Sequence, residues 1–263
     1  MRVAGSTVLI TGASGGLGQA IARALAAAGA KLVLSARRTE VLEELARELG
    51  ATVAAADLSD ADSVRALAAE NADVDIVIAN AGLPASGRLV SFTEEQIDRA
   101  LTVNLRAPMM LAHAFVPAMV ARGSGHIVFM SSLSGKAPAA GSSVYSATKF
   151  GLRGFAGALR AELHSSGVGV SAIFPGFIRD AGMSEHAGVT LPRGTGTKSP
   201  EHVAKATLRA IERNRGEIDV APLPLKLGAT ISGIAPELAA TVTRKAGGEA
   251  VAAQFEAGQL DKR

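Results

Sequence analysis

Tyr145 and Lys149 stand four residues apart, and Ser131 and Ser132 lie just upstream, in the stretch HIVFMSSLSGKAPAAGSSVYSATK (126–149). Four-residue spacing on a helix puts two side chains on one face, so the ammonium is predicted to stand beside the phenol. A phenol ionises near pH ~10, and an adjacent positive charge favours the phenolate, drawing its pKa toward working pH. A tyrosine tuned in this way is a general acid or base, and a serine hydroxyl within reach polarises a carbonyl oxygen. Tyr-x-x-x-Lys is a short pattern, and most such pairs decorate surfaces. Here, however, Tyr145 is the only tyrosine in a chain without tryptophan. The serine pair also marks the end of the apolar run 127–130, and open α/β sheets place their ligands at such strand ends.

The elements that must position these side chains alternate along the chain. Strands are predicted at 7–11, 31–36, 52–57, 74–82, 126–130, 168–176 and 217–222, with helices at about 17–28, 39–50, 59–70, 93–122, 143–166 and 199–214. The strand at 7–11 is a short apolar run, and Ile127–Met130 has the pattern of a buried strand. Strand–helix alternation at about thirty residues per unit argues for a doubly wound α/β fold, a Rossmann-type parallel sheet of about seven strands with helices on both faces. No repeat or composition break suggests a second domain, so residues 1–263 read as one domain with a core over 5–222. Residues 177–199 carry Gly, Pro, Ser and Thr without periodicity, which in a compact domain predicts a functional lid. Residues 223–263 form an extension, less regular at its start because of Pro222, Pro224 and Pro236, with an Ala-rich helical stretch near 235–255.

The first strand runs into TGASGGLG (Thr11–Gly18). Gly12 allows a tight turn, Gly16 lets backbone approach a phosphate, and Gly18 permits close packing of the helix that follows. The free N–H groups and dipole of that helix then face a pyrophosphate. The spacing is G-x-x-x-G-x-G rather than the general dinucleotide fingerprint G-x-G-x-x-G. The second strand ends Ser35-Ala36-Arg37-Arg38. Sites that bind the ribose 2′-hydroxyl place an acidic residue at that strand end. Ala36 occupies the place here, and Arg37 follows with a guanidinium that forks onto a 2′-phosphate. The pattern favours NADP(H) over NAD(H).

In these motifs, over roughly residues 5–222, the chain resembles the short-chain dehydrogenase/reductase superfamily in its compact single-domain branch. TGASGGLG is similar to that family's cofactor turn and YSATK to its Tyr-x-x-x-Lys. Ser132, thirteen residues before Tyr145, is the better match to the family serine, with Ser131 as the fallback. Asn104 in LTVNLRAP matches the family's active-site asparagine. The resemblance implies catalytic roles for Asn104, Ser132, Tyr145 and Lys149. It implies cofactor contacts from Gly12, Ser14, Gly15, Gly16, Leu17, Gly18, Arg37, Asp57, Leu58, Asn80, Ala81, Gly82, Tyr145, Lys149, Pro175, Gly176 and Ile178. ANAG (79–82) departs from the usual N-N-A-G at Ala79, and Asp180 stands where the family often has threonine near the carboxamide. The implied reaction is hydride transfer between nicotinamide and a small-molecule ketone, aldehyde or secondary alcohol. Lys149 would lower the Tyr145 pKa and hold the nicotinamide ribose, and Asn104 would fix Lys149 through water. A cofactor-binding regulator without turnover and a non-redox Rossmann enzyme are the alternatives from other classes.

Composition narrows the rest. With no cysteine, disulfides, zinc–thiolate sites and cysteine nucleophiles are excluded. The five histidines (His113, His126, His164, His186, His202) lack metal-ligand spacing, so no metal is expected. Net charge is +3 with scattered charges, too weak a basic patch for nucleic acid. The chain enters a strand within a few residues and offers no window of ~18 uncharged apolar residues, so a cytoplasmic protein without a membrane span is expected. The resemblance implies a homo-oligomer: a dimer through the helices near 93–122 and 143–166, with a tetramer as runner-up. Ala147, Gly151, Gly154, Ala158 and Ala161 form a small-residue stripe on the second helix, which the chain's own sheet also competes to cover. The apolar extension would cover a second interface, roof the substrate pocket or make peripheral contact with a membrane.

Overall fold

A computed structural model of the chain describes residues 1–182, 188–191, 195–245 and 247–259. Seven strands, β1 (Thr7–Thr11), β2 (Lys31–Ala36), β3 (Thr52–Ala55), β4 (Ile76–Ala79), β5 (Gly125–Met130), β6 (Val168–Pro175) and β7 (Glu217–Val220), form one sheet. Their order is β3-β2-β1-β4-β5-β6-β7, and every pairing is parallel. Helices α1 (Gly16–Ala27), α2 (Glu40–Leu49) and α3 (Ala61–Glu70) link the first four strands. Between β4 and β5, α4 (Glu94–Leu101) runs through a widened π-helical turn at Thr102–Arg106 into α5 (Ala107–Ala121). Next come α6 (Ser143–Glu162) and α7 (Pro200–Glu212), and beyond β7 stand α8 (Leu223–Ile234), α9 (Pro236–Lys245) and α10 (Gly248–Gln259).

The two-residue period of the strands divides the core. Leu9, Val77, Ile127, Phe129 and Val170 face one side, where Leu67 of α3, Phe115 of α5 and Leu152 of α6 cover them. Val8, Ile10, Leu34, Ile78 and Val128 face the other, against Ile21 of α1, Leu42 of α2 and Val203 of α7. Along the inner strands β1, β4, β5 and β6 both faces are dry, which is why these strands read as largely apolar runs, while the edge strands β3 and β7 are partly exposed. β1 has β2 on one side and β4 on the other, so its carboxyl end opens at the point where the winding reverses. In such sheets ligands bind at that crevice.

Most differences from the sequence reading lie beyond residue 222. Leu223–Ile234 is a full helix, although Pro222 and Pro224 read as breakers. Pro222 is the residue just before the helix and Pro224 falls within its first turn, where no backbone N–H is needed. The segment expected to be a lid, 177–199, lies partly outside the described residues. Of its described ends, Lys198 N–H donates to the carbonyl of Phe177 and Arg179 N–H to that of Lys198.

One buried group makes the sheet sensitive to acid. His126 on β5 is 1% exposed, and its Nε2 lies 2.8 Å from Ser171 Oγ on β6. Burial, then the charges of the amino terminus and Arg160, pulls its pKa down to about 3. The folded chain therefore keeps His126 neutral while the unfolded chain takes up a proton near pH ~6.5. Stability is intact above that pH and is lost as the pH falls toward 3, by on the order of 5 kcal/mol in full. In denaturant titrations at pH 7 and pH 4, His126→Gln keeps a partner for Ser171 without titrating, so it should flatten the pH dependence. Equal slopes in the two proteins would rule out His126 as the source.

Candidate active site

The cofactor turn is shaped by close backbone contacts. Gly12 has φ 65°, and a Cβ there would lie 2.7 Å from the Cα of Ala81 in the loop after β4. A Cβ on Gly18 would strike the Gly12 carbonyl and approach Ala13 Cα at 2.7 Å. A Cβ on Gly16 would lie 2.6 Å from Ala181 Cβ, so that glycine also admits the segment after β6. α1 begins behind Gly15 with no side-chain cap and no acidic residue in its first turn. Its leading N–H groups are thus left for an anion, which fits a pyrophosphate.

Asn80 ties the ends of β1 and β4 together. Its Nδ2 donates to the carbonyls of Thr11 (3.1 Å) and Gly12 (3.2 Å). Thr11 Oγ1 accepts the N–H groups of Asn80 and Ala81, both at 3.2 Å. At the end of β2, Ala36 is buried and Arg37 and Arg38 are exposed on the crevice wall. Burial pushes the Asp57 carboxyl up, but the Ser59 hydrogen bonds and the charges of Arg37 and Arg99 leave it below its ordinary value.

At the end of β5 the two serines part company. Ser131 Oγ donates to the Lys149 carbonyl at 3.1 Å, which fastens the strand end to α6. Ser132 hydrogen-bonds Tyr145 and donates weakly to the Pro175 carbonyl at 3.5 Å. Only Ser132, therefore, has its hydroxyl among the reacting groups. Lys149 is 3% exposed, and its Nζ donates to the Met130 carbonyl at 2.9 Å while lying 5.6 Å from the Tyr145 ring centre.

The expected lowering of the Tyr145 pKa by Lys149 does not govern the chain. Burial pushes the phenol up to about 12, and the Ser132 hydrogen bond draws it only part of the way back. Burial also pulls the Lys149 ammonium down to about 8. Both shifts disfavour charge in the same dry corner. Tyr145 is thus protonated at neutral pH, the form that donates.

Asn104 sits in the π-helical turn, fully buried. Its Oδ1 accepts Leu83 N–H at 2.6 Å and its Nδ2 donates to the Leu83 carbonyl at 3.0 Å. Its amide thus holds the loop after β4, whereas Lys149 is held by Met130.

Gly135 lets the loop after Ser132 lie on α6. A Cβ there would stand 2.6 Å from the Lys149 carbonyl and 2.8 Å from Ser131 Oγ. Gly135→Ala should prise this contact open, destabilising the protein by about 1–3 kcal/mol. It should also lower activity through misplacement of Ser132. An unchanged melting curve would show that the loop gives way freely.

These elements enclose one cavity of about 860 Å³. Every site residue expected from the sequence lines it except Asn104, which stands behind the wall; Asp180 is exposed and pairs with Arg179. Leu83, which sequence reasoning missed, also lines it, as do Phe177 and Thr195 from the segment read as a lid and the inner faces of α8, α9 and α10 from the extension, for which a roof over the pocket was one of three readings. The apolar run PLPLKLGATISGIA (222–235) carried that signal. Among the described residues, no cluster of His, Asp and Glu could hold a metal ion, and no helix is long and apolar enough to cross a membrane.

Comparison with known proteins agrees with this geometry. The profile of the short chain dehydrogenase family matches residues 6–190. The chain is 36% identical over 230 residues to the ketoacyl reductase HetN of a Nostoc species, covering 84% of this chain and 80% of that one. It is 34% identical over 260 residues to dehydrogenase/reductase SDR family member 7B of Bos taurus, covering 90% and 79%. The structure of a short-chain dehydrogenase from Sphingobium yanoikuyae in complex with NADPH superposes with a TM-score of 0.75 at 34% identity, covering 88% of this chain and 96% of that one. The parallel seven-stranded sheet, the glycine turn and the Ser–Tyr–Lys cluster are those of a nicotinamide-dependent oxidoreductase, and the chain belongs to the short-chain dehydrogenase family.

Proposed function

We propose that this protein is an NADP(H)-dependent oxidoreductase that interconverts a carbonyl compound and its secondary alcohol, with Tyr145 as the general acid and base. The observation that carries this reading is the convergence of Ser132, Tyr145 and Lys149 on one cavity wall, beside the glycine turn. When bound, NADP(H) supplies the hydride to the carbonyl carbon or takes it back. Tyr145 donates its proton to the carbonyl oxygen as the C=O π pair becomes the O–H bond, and it is left as phenolate. Ser132 hydrogen-bonds the same oxygen, and the Lys149 ammonium steadies the phenolate and takes the nicotinamide ribose. Asn104 keeps the loop after β4 in place through its two hydrogen bonds to Leu83. Gly12 through Gly18 would hold the pyrophosphate, Asp57 and Leu58 the adenine, and Pro175, Gly176 and Ile178 the nicotinamide.

Ala36 and Arg37 support NADP(H) over NAD(H), as does the NADPH bound by the Sphingobium relative. The chain acts as one unit, its 5–222 core carrying the cofactor and its extension roofing the cavity. A loss of NADPH absorbance on addition of carbonyl compounds tests the reading directly. Tight NADPH binding without oxidation by any carbonyl compound would instead make the protein a cofactor-bound regulator.

A homodimer is the assembly we favour. Ala147, Gly154, Ala158 and Ala161 of α6 lie on its exposed face rather than on the sheet. Phe150 of α6 (39% exposed) and Val120 of α5 (41%) add apolar surface there. A Cβ at Gly154 meets nothing within 4 Å in the chain, so Gly154→Arg should split the dimer without disturbing the fold. Sedimentation of the wild type as a monomer at micromolar concentration would exclude this interface.

A further inference from the structure

The cavity of about 860 Å³ spans the nucleotide crevice, the catalytic cluster and the space beyond it, and its two halves differ in chemistry. The charged residues among the described ones on its walls, Arg37, Arg38, Asp57, Arg99 and Lys149, belong to the nucleotide end or to the catalytic cluster. Beyond Tyr145 the wall is made by α8, α9 and α10 with the loops opposite them. Of the residues these helices contribute, only Ser232 and Thr243 are polar, and none is charged. Leu83, Phe177, Leu225, Val251 and Phe255 line this half.

The roof is fastened to loops at the carboxyl ends of three strands. Phe255 of α10 stacks on Phe177 after β6, with ring centres 6.4 Å apart. Gln259 Oε1 accepts the Ser86 N–H after β4 at 3.2 Å, and Glu256 Oε2 accepts Arg88 Nε at 3.1 Å. Ala252 lies against Gly141 after β5, where a Cβ would come within 2.7 Å of it. At the lip, Ile231, Leu238 and Val242 line the cavity while remaining 47%, 59% and 58% exposed. The part of the lip that α8 and α9 contribute is therefore apolar.

We infer that the substrate is a long or bulky apolar carbonyl compound, uncharged near its carbonyl, whose hydrocarbon part lies under α8–α10. This rests on the redox reading above and names the substrate class for that site. A small charged oxo acid would shed its hydration in a wall whose described residues offer its carboxylate no cation beyond Lys149, an unfavourable exchange. A hydrocarbon chain gains with each methylene buried. The full gain, about 0.8 kcal/mol, corresponds to about fourfold in affinity or kcat/KM per methylene.

The test uses the full chain with NADPH and a series of methyl ketones from 2-butanone to 2-dodecanone, with pyruvate as the charged comparison. The same chains presented as 3-oxoacyl N-acetylcysteamine thioesters distinguish a free ketone from an acyl thioester. kcat/KM should climb about two- to fourfold per methylene until the cavity is filled, with pyruvate at least 100-fold below 2-dodecanone. Gly228 of α8 borders the cavity, and a Cβ there meets nothing within 4 Å. Gly228→Leu favours the helix by close to ~1 kcal/mol, so the variant should fold, and it should end the climb at a shorter chain.

Calorimetric binding of the same ketones to the NADP⁺-loaded protein separates the two readings. Binding that tightens with chain length, without turnover, would keep the substrate class and remove the redox assignment. Turnover that is flat with chain length, turnover favouring pyruvate, or no binding of the long ketones would overturn the inference. A length profile untouched by Gly228→Leu would equally remove α8 from the substrate wall.

Discussion

Replacing Tyr145 with phenylalanine should lower turnover by roughly two to four orders of magnitude, the usual worth of a general acid. The ring stays, so its packing against Lys149 and the cavity wall is kept. What goes is the hydroxyl that hydrogen-bonds Ser132 and would carry the proton. NADPH affinity should change far less than kcat, because proton transfer is felt in the transition state rather than in cofactor binding. The pH profile adds a check. With burial holding the phenol up to about 12 and the Lys149 ammonium down to about 8, carbonyl reduction should persist at neutral pH. It should fall as the pH rises through about 8 and Lys149 loses its charge. Turnover at the wild-type rate in Tyr145→Phe would sink the mechanism.

Arg37→Ala should weaken NADPH by tenfold or more while leaving NADH nearly unchanged. A charge-assisted hydrogen bond is worth about 1.5–3 kcal/mol, and a forked guanidinium makes two with one phosphate. Arg37 stands on the crevice wall immediately after Ala36, so no carboxylate at that strand end opposes a 2′-phosphate. The variant also takes away one of the charges acting on Asp57, an effect shared by both cofactors and therefore absent from their ratio. Equal affinity of the wild type for NADH and NADPH would show the assignment to be mistaken.

The sheet was legible because strands buried on both faces read as apolar runs, and the residues from Thr11 to Gly18 punctuate the first of them. The pairing of Tyr145 with Lys149 was legible from spacing, while the choice of Ser132 over Ser131 rested on the family resemblance. The electrostatics of the pair were not legible, because four-residue spacing shows proximity and says nothing of burial. The same limit applies to Asn104, whose partner Leu83 lies on another element. The extension misled for a different reason. Pro222 and Pro224 mark a helix start as readily as a break, and only the packing of α10 over three loops distinguishes a roof from a tail.

The strand order also bears on how the molecule is made on the ribosome. The first four strands to emerge can assemble by themselves as β3-β2-β1-β4. β5, β6 and β7 then join in the order of their synthesis, each at the same growing edge, so no later strand has to be threaded between two already paired. Such accretion keeps a nascent chain from presenting a gap that another polypeptide could fill, a common route to misassembly. Among the described elements, α10 follows all seven strands and closes on the site. The nucleotide-facing half is therefore able to take shape before the apolar chamber exists, and the chamber is sealed only after the sheet is complete.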